Sequence, residues 1–257
     1  MEEPIFQTMV DKLRLSVFET REQMGRCAAR DMADCIKTLL KNKEHIRMVF
    51  AAAPSQNEFL EALTLEKGIA WERVEAFHMD EYIGLAIGAN QRFSTFLNRA
   101  VFDVVHPGKI HLLMPENDDP EKECDRYAKL LEGGIDIVCL GIGENGHIAF
   151  NDPPVADFHD PKNVKIVKLD QVCRQQQVHD GCFDRIENVP SHAVTLTIPA
   201  LMSGNHLFAV VPGESKREAL NRALTGKITE ECPASILRTH KDCRLYAEIH
   251  SYPVSTR

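Results

Sequence analysis

Two adjacent carboxylates follow an apolar run in the first third of the chain. The run over 74–79 predicts a buried strand, and Asp80 and Glu81 come directly after it in the segment HMDEYIGL. An α/β protein binds ligands at the carboxyl ends of its parallel strands, so this position suits a general acid or base. Because successive strand residues point to opposite faces, at most one of the two carboxylates is expected to enter a shared pocket. A solvated acidic turn is the alternative interpretation.

A second candidate is the glycine-rich segment LGIGENGHIAFNDPP, which follows the apolar strand predicted over 135–140. Its glycines match GxGxxG, but the prolines after them restrict the long helix that a dinucleotide site requires. The pattern instead predicts a tight turn whose backbone N–H groups face an oxyanion, with His147 beside them. Asn145 and Asp152 lie within reach of this imidazole, and a histidine with a local carboxylate is typical of proton transfer. A histidine with a purely structural role is the alternative.

Two further strand–turn–helix junctions offer groups for an anion. In VPGESKREAL, Ser215 is a candidate N-cap, and Lys216 lies in the first helical turn, where a positive charge is unfavourable for the helix dipole. We therefore expect Lys216 to bind a phosphate at that helix end, with a solvated lysine as the alternative. In AAAPSQNEF, Ser55 or Asn57 could cap the next helix and leave N–H groups free for an anion.

The apolar pattern along the chain supplies the elements that must hold these groups. Strands are predicted over 47–53, 74–79, 110–114, 135–140, 164–169, 193–198, 206–211 and 244–249, and helices over 6–40, 57–67, 91–101, 119–131, 216–224 and 234–239. This alternation predicts an α/β fold with a mostly parallel sheet that is covered by helices on both faces. No linker or repeat divides residues 1–257, so one domain is expected. The polar segment 157–188 is expected to be a mobile lid.

Composition and charge exclude several classes of partner. The chain of 257 residues has a formal net charge of −8, whereas nucleic acids and anionic membranes require a basic surface. No apolar stretch approaches the ~20 residues of a membrane span, and the N-terminus lacks a signal-peptide pattern, which together favour a cytoplasmic protein. The 8 cysteines are scattered without a CxxC, and the histidines do not cluster. Free thiols and no metal site are therefore expected.

The segments together resemble the glucosamine-6-phosphate deaminase/isomerase family, within the wider group that includes 6-phosphogluconolactonases. The motifs GIGENGHIAFNDP and FHMDEYIGL carry the strongest likeness, and HAVTLTIPAL and CPASIL support it. The resemblance implies a three-layer α/β/α sandwich with a mostly parallel, Rossmann-like sheet. It also implies a hydrolase-type deaminase/isomerase that converts an amino-sugar phosphate, with glucosamine 6-phosphate as the expected substrate and with no cofactor or metal.

The same resemblance implies roles for individual residues. Asp80 becomes the base that moves a proton between C2 and C1 of the open-chain sugar, and His147 assists ring opening. Asp152 supports the histidine, Asn145 is a polar partner in the same loop, and Lys216 binds the phosphate. The other expected substrate contacts are Ser55, Gln56, Asn57, Gly146, Arg174 and His179.

Three departures from the family pattern fall on these residues. The usual Ser/Thr-Gly-Gly-Thr phosphate turn reads Pro54–Glu58, and the glutamate that usually follows the asparagine of the motif is Asp152. The segment that usually supplies a phosphate arginine reads Gln177–Phe183. The proton-transfer half of the site therefore matches the family better than the phosphate half. A lactonase of the same fold, a non-catalytic sugar-phosphate-binding protein and a galactosamine-phosphate enzyme are the alternatives, and a homo-oligomer is possible.

Overall fold

The computed structural model describes residues 3–115, 119–252 and 254. Its strands are β1 (Phe6–Val10), β2 (Leu13–Phe18), β3 (Ile46–Phe50), β4 (Val74–His78), β5 (Asp80–Tyr82), β6 (Lys109–His111), β7 (Ile137–Leu140), β8 (Val164–Lys168), β9 (His192–Leu196), β10 (His206–Val211) and β11 (Cys243–Glu248). Its helices are α1 (Arg21–Leu40), α2 (Asn57–Leu65), α3 (Phe93–Leu97), α4 (Asp103–Val105), α5 (Pro120–Leu131), α6 (Gln171–His179), α7 (Ile198–Met202) and α8 (Arg217–Thr225). None of these helices combines the length and the apolar character that crossing a bilayer requires.

Eight strands form one sheet in the order β1-β2-β11-β10-β7-β3-β4-β6. Every neighbouring pair is parallel except the hairpin of β1 and β2, so the prediction of a mostly parallel sheet is confirmed. The other three strands form a small antiparallel sheet in the order β5-β9-β8. The strands predicted over 164–169 and 193–198 therefore exist, but they lie outside the main sheet, where β9 pairs with both β5 and β8.

Alternate residues of the central strands enter two separate hydrophobic cores. On β7, Ile137 and Cys139 pack on the side of α1, α2 and α3, whereas Val138 and Leu140 pack on the side of α5, α7 and α8. Burial of both faces explains why this strand reads as a continuous apolar run. The sheet thus lies between two helical layers, which confirms the three-layer α/β/α sandwich.

Residues 6–18 form a β-hairpin, so the prediction of a helix that begins at Phe6 is wrong for this segment. Leu13, Leu15 and Val17 alternate into the core, and β2 pairs in parallel with β11 near the end of the chain. The apolar positions of this segment fit both the period of a helix and the period of a strand. Pairing with the distant strand β11 favours the strand. Helix α1 begins only after Thr20, whose Oγ1 accepts a hydrogen bond of 3.2 Å from the backbone N–H of Gln23.

Candidate active site

A cavity lies at the carboxyl ends of β7, β3 and β4, which are neighbours in the main sheet. Residues that follow these strands line it, among them Ala51 after β3, Asp80 after β4 and Gly141 after β7. The ring of His147 borders the same cavity. The carboxylate and the imidazole that the sequence indicates therefore face one space, as a shared chemical site requires.

Asp80 supplies a buried carboxylate to this cavity. The residue is 6% exposed and opens β5, where it lies opposite Thr195 of β9. Burial raises the pKa of Asp80 well above its ordinary value, and the negative charges of Glu81 and Asp152 raise it further. A carboxylate with a raised pKa is a stronger base than an ordinary carboxylate, which suits a general base.

Glu81 serves the structure on the other face of the same strand. Its carboxylate is fully buried and lies 3.3 Å from Nε of Arg92. It also accepts hydrogen bonds from the backbone N–H of Phe93 and from the N–H and hydroxyl of Ser94, at the start of α3. The prediction that only one of the two adjacent acids enters the pocket is therefore confirmed, and that acid is Asp80.

His147 is held by two oxygen acceptors from its own loop. Its Nδ1 lies 2.8 Å from Oδ1 of Asn145 and 3.0 Å from Oδ1 of Asp152. Asn145 donates its Nδ2 to Asp152 over 2.9 Å, which fixes the orientation of the amide. Because both partners of Nδ1 are acceptors, Nδ1 carries the ring proton, and Nε2 is the nitrogen that can exchange a proton with a substrate.

The carboxylate of Asp152 is fully buried, yet it is held in its charged form. Burial opposes ionisation, but the hydrogen bonds from His147, Asn145 and the backbone N–H of Asp170 outweigh it, so the pKa of Asp152 lies below its ordinary value. The pKa values of Asp80 and Asp152 are therefore shifted in opposite directions within one site. Such divergence separates a proton-transferring group from a permanently charged support.

Two glycines shape the catalytic loop, which we define as residues 141–152. A Cβ atom on Gly143 would lie 2.1–2.4 Å from the ring atoms of His147, so only glycine lets the imidazole pack there. Gly146 has φ +92°, a left-handed conformation that favours glycine. Gly146 is thus a turn residue and is not among the residues that line the cavity.

The backbone N–H groups of this loop are largely used within the protein. Those of Gly143 and Gly146 donate to backbone carbonyls, and that of His147 donates to Asn145. The N–H of Glu144 donates to the side chain of Gln176 over 2.8 Å. These four N–H groups are therefore not available to a substrate oxyanion, because the protein satisfies them internally.

Helix α6, which the sequence pattern did not predict, supports the catalytic loop. Asp170 immediately precedes α6, and its N–H donates to Asp152 over 3.0 Å. Gln176 binds the loop backbone, and Gln177 reaches the cavity. The one available signal was the spacing of Cys173, Gln176 and Gln177, which share a buried face of an otherwise polar helix. Movement of the segment 157–188, which contains α6, stays a prediction.

Lys216 is a buried cation beside the catalytic loop. It is 3% exposed, and its Nζ has no hydrogen-bond partner. Burial lowers the pKa of Lys216, and the negative charges of Asp180 and Glu144 oppose this shift. A buried ammonium group without a partner is costly, so it suits an anionic ligand that completes its hydrogen bonds.

The turn over 54–58 contributes less to an anion site than its position suggests. Pro54 has no N–H, and the N–H groups of Gln56 and Asn57 already donate to the carbonyls of Ala53 and Pro54. Asn57 is exposed and lies outside the cavity lining, whereas Ser55 and Gln56 belong to it. The backbone N–H groups of Gln56 and Asn57 are therefore not available to an anion.

The negative charge within this turn is neutralised by a distant residue. Arg21 donates from Nε and Nη2 to the carboxylate of Glu58, over 2.8 and 3.0 Å. Such a bidentate pair is geometrically specific. Glu58 is thus committed to α1 and does not oppose an anion as a free carboxylate.

The sequence of residues 19–246 matches the family described as glucosamine-6-phosphate isomerases/6-phosphogluconolactonase. The chain belongs to this family. A glucosamine-6-phosphate deaminase of Clostridium perfringens is 30% identical over 242 residues, covering 92% of this chain and 97% of the relative. A glucosamine-6-phosphate deaminase of Exiguobacterium sibiricum is 38% identical over 172 residues, covering 66% of each chain.

Solved structures of the glucosamine-6-phosphate isomerase/6-phosphogluconolactonase family share the fold. A monomeric glucosamine-6-phosphate deaminase superposes with a TM-score of 0.84 at 28% identity, covering 92% of this chain and 98% of that one. A 6-phosphogluconolactonase from Thermotoga maritima gives a TM-score of 0.75 at 19% identity, covering 92% and 100%. The sequence suggested that the deaminase is a hydrolase. The family description instead names glucosamine-6-phosphate isomerases beside the lactonase, so the hydrolase class is not supported for the deaminase.

Two basic residues expected to contact the phosphate lie elsewhere in this family member. Arg174 donates from Nη2 to the carbonyls of Ile186 and Val189, and it borders a different surface pocket from that of Asp80. His179 is exposed at the end of α6, where Nδ1 lies 3.4 Å from the carboxylate of Glu144. The structure therefore brings together Asp80, His147, Asn145, Asp152, Ser55 and Gln56, with Lys216 beside them.

Proposed function

We propose that this chain is an aldose–ketose isomerase that deaminates an amino-sugar phosphate, converting glucosamine 6-phosphate to fructose 6-phosphate and ammonia. The observation that carries the proposal is the convergence of Asp80 and His147 on one cavity. A base for a carbon-bound proton and a proton carrier for the ring oxygen are the two groups that this conversion needs.

Ring opening is the task of the imidazole. Nε2 of His147 takes the proton of the C1 hydroxyl and returns it to the ring oxygen, which gives the open-chain aldehyde. Asp152 stabilises the transient imidazolium because its charge lies 3.0 Å from Nδ1. Asn145 keeps the ring in the required orientation through its bond to the same nitrogen.

Isomerisation is the task of Asp80. Its carboxylate removes the proton from C2 while the ammonium group of the substrate gives a proton to O1, which forms a neutral enolamine. The resulting carboxylic acid then delivers its proton to C1. The product carries an iminium group at C2, and addition of water there releases ammonia and leaves the ketone. The raised pKa of Asp80 makes its carboxylate a stronger base for the C2 proton than an ordinary carboxylate.

Phosphate binding is assigned to Lys216, with the hydroxyl of Ser55 as a second polar contact from the cavity lining. The buried, unpartnered Nζ of Lys216 supports this assignment. Gln56 contributes indirectly, because its Nε2 donates to the carbonyl of Val210 over 3.0 Å and to Oγ of Ser55 over 3.2 Å. These contacts fix the position of the Ser55 hydroxyl.

The proposal is tested by incubating the purified chain with glucosamine 6-phosphate and measuring ammonia and fructose 6-phosphate in parallel. Equal amounts of both products are expected, and in D2O the product should acquire deuterium at C1. Unphosphorylated glucosamine is the matched control and should react far more slowly. Rapid hydrolysis of 6-phosphogluconolactone without any release of ammonia would overturn the proposal in favour of a lactonase.

A further inference from the structure

Three buried side chains bring a nitrogen, an oxygen and a sulfur donor together beside the active site. The imidazole of His147, the carboxylate of Asp152 and Sγ of Cys173 offer donor atoms that all lie within 4.8 Å of one another. These residues are 8%, 0% and 1% exposed. Within the described ranges of the chain they form the one such group.

This donor set matches the coordination chemistry of Zn²⁺. Zinc binds histidine nitrogen, carboxylate oxygen and thiolate sulfur in tetrahedral sites, and bond lengths of ~2.0–2.3 Å place neighbouring donors about 3.3–3.6 Å apart. Nδ1 of His147 and Oδ1 of Asp152 are already 3.0 Å apart. A small separation of these two atoms and an inward shift of Cys173 would complete three corners of a tetrahedron.

The surroundings of this group favour a cation. The carboxylate of Asp80 borders the same cavity as His147, and a carboxylate oxygen of Asp170 lies 3.4 Å from the side-chain amide of Asn145, which also binds Asp152. A divalent ion partly neutralises this concentration of carboxylates, and the thiol proton of Cys173 passes to solvent when the ion binds.

We propose that Zn²⁺ binds to His147, Asp152 and Cys173 and thereby inhibits the enzyme. The ion takes the place of the proton between Nδ1 of His147 and Asp152, and no group is oxidised or reduced. An imidazole fixed in this way cannot become the imidazolium that ring opening requires. The inhibition rests on the proposed function, whereas the metal site itself is independent of it.

Cys232 provides a matched control for the thiol ligand. It is 5% exposed and packs against the same catalytic loop, since a Cβ atom on Gly146 would lie 2.9 Å from its Sγ. It does not belong to the donor group. Cys173→Ser and Cys232→Ser therefore each remove one buried thiol near the catalytic loop, and only the first removes a proposed ligand.

The binding test uses Co²⁺ as a spectroscopic substitute for Zn²⁺ and needs no enzyme activity. Wild-type protein should bind one equivalent of Co²⁺ and show a near-ultraviolet thiolate-to-cobalt charge-transfer band. The band should be lost in Cys173→Ser and retained in Cys232→Ser. His147→Asn, which removes the nitrogen ligand at the edge of the cavity, should weaken binding even if Cys173→Ser does not fold.

The inhibition test measures ammonia release against the concentration of free Zn²⁺, with each variant normalised to its own metal-free rate. Zinc should inhibit the wild type reversibly, with recovery on chelation, and Cys173→Ser should require about 10- to 100-fold more zinc. A charge-transfer band that persists in Cys173→Ser, or the absence of any such band in the wild type, would overturn the proposed site. A band without inhibition would overturn the inhibitory role alone. If the chain shows no deaminase activity, the cobalt experiment by itself still tests the metal site.

Discussion

Nδ1 of His147 and Oδ1 of Asp152 lie 3.0 Å apart although the acid has one methylene fewer than the glutamate of the family motif. The chain between them folds into a tight turn, in which Ile148 and Asn151 form an antiparallel bridge. The side chain of Asn151 locks this turn by donating to the carbonyls of Ile148 and Leu196. The turn brings the two backbones together, and the shorter acid therefore reaches the imidazole.

This contact predicts that Asp152→Asn impairs both catalysis and stability. Loss of the charge beside His147 should lower kcat by about 10²–10⁴-fold, because the imidazolium loses its support. The lowered pKa of Asp152 means that its carboxylate stabilises the fold above its unfolded pKa of ~3.9 and that this contribution is lost as the pH falls through the folded pKa. The variant should therefore lose about 1–3 kcal/mol of unfolding free energy at neutral pH.

Urea denaturation of wild type and Asp152→Asn at neutral and at acidic pH measures this difference. The gap between the two proteins should narrow on acidification, as the wild-type carboxylate becomes protonated. An equal gap at both pH values would show that packing rather than charge accounts for the loss.

Asp80→Asn should have the opposite effect on stability. The raised pKa of Asp80 means that its contribution to stability is present below the unfolded pKa and is lost as the pH rises through the folded pKa. At higher pH the wild type bears the cost of a buried, repelled charge, and the isosteric amide removes this cost. Asp80→Asn should therefore unfold at a higher temperature than the wild type above the folded pKa, while kcat falls by about 10²–10⁴-fold.

Thermal melts over a pH series, with ammonia release measured on the same samples, test this pair of effects. The stability gain should disappear toward acidic pH, where both proteins carry a neutral side chain. Unchanged turnover in Asp80→Asn would refute the assignment of the base, whatever happens to stability.

Local sequence patterns were sufficient to predict the central architecture and the placement of the proposed proton-transfer residues. The continuous apolar run of β7 and the alternation of strand residues indicated a buried parallel sheet and the opposite orientation of Asp80 and Glu81. These features depend on neighbours within a few residues, which is why they could be inferred from one sequence.

The features that the sequence did not reveal depend on distant partners. The pairing of Arg21 with Glu58 joins α1 to α2 across 37 positions, and no local pattern indicates it. Arg174 was expected to bind the phosphate, but its Nη2 donates to the carbonyls of Ile186 and Val189. The apolar spacing of residues 6–18 fits both a helix and a strand, and only the pairing of β2 with β11 distinguishes the two.

The two basic residues Lys216 and Arg174 are predicted to differ in what they contribute. Lys216→Met should raise KM by about 10- to 100-fold, because a hydrogen bond to a charged group is worth ~1.5–3 kcal/mol. Arg174→Met should leave KM nearly unchanged and lower the free energy of unfolding by about 1–3 kcal/mol, because it loses its bonds to Ile186 and Val189. Steady-state kinetics and urea denaturation of both variants separate the two roles, and a large rise in KM for Arg174→Met would return that residue to the phosphate site.

Gly143→Ala tests whether the position of the imidazole limits the reaction. The added Cβ would meet the ring of His147 at 2.1–2.4 Å, so the ring must move away from Asp152 or the loop must shift. A displacement of about 1 Å at a catalytic group lowers turnover by ~100-fold.

Gly88→Ala is the control, because its Cβ would meet nothing within 4 Å and its φ of +77° adds only backbone strain. It should cost about 1–2 kcal/mol of stability and leave kcat unchanged. Equal turnover in the two variants would show that the contact between Gly143 and His147 does not set the catalytic geometry.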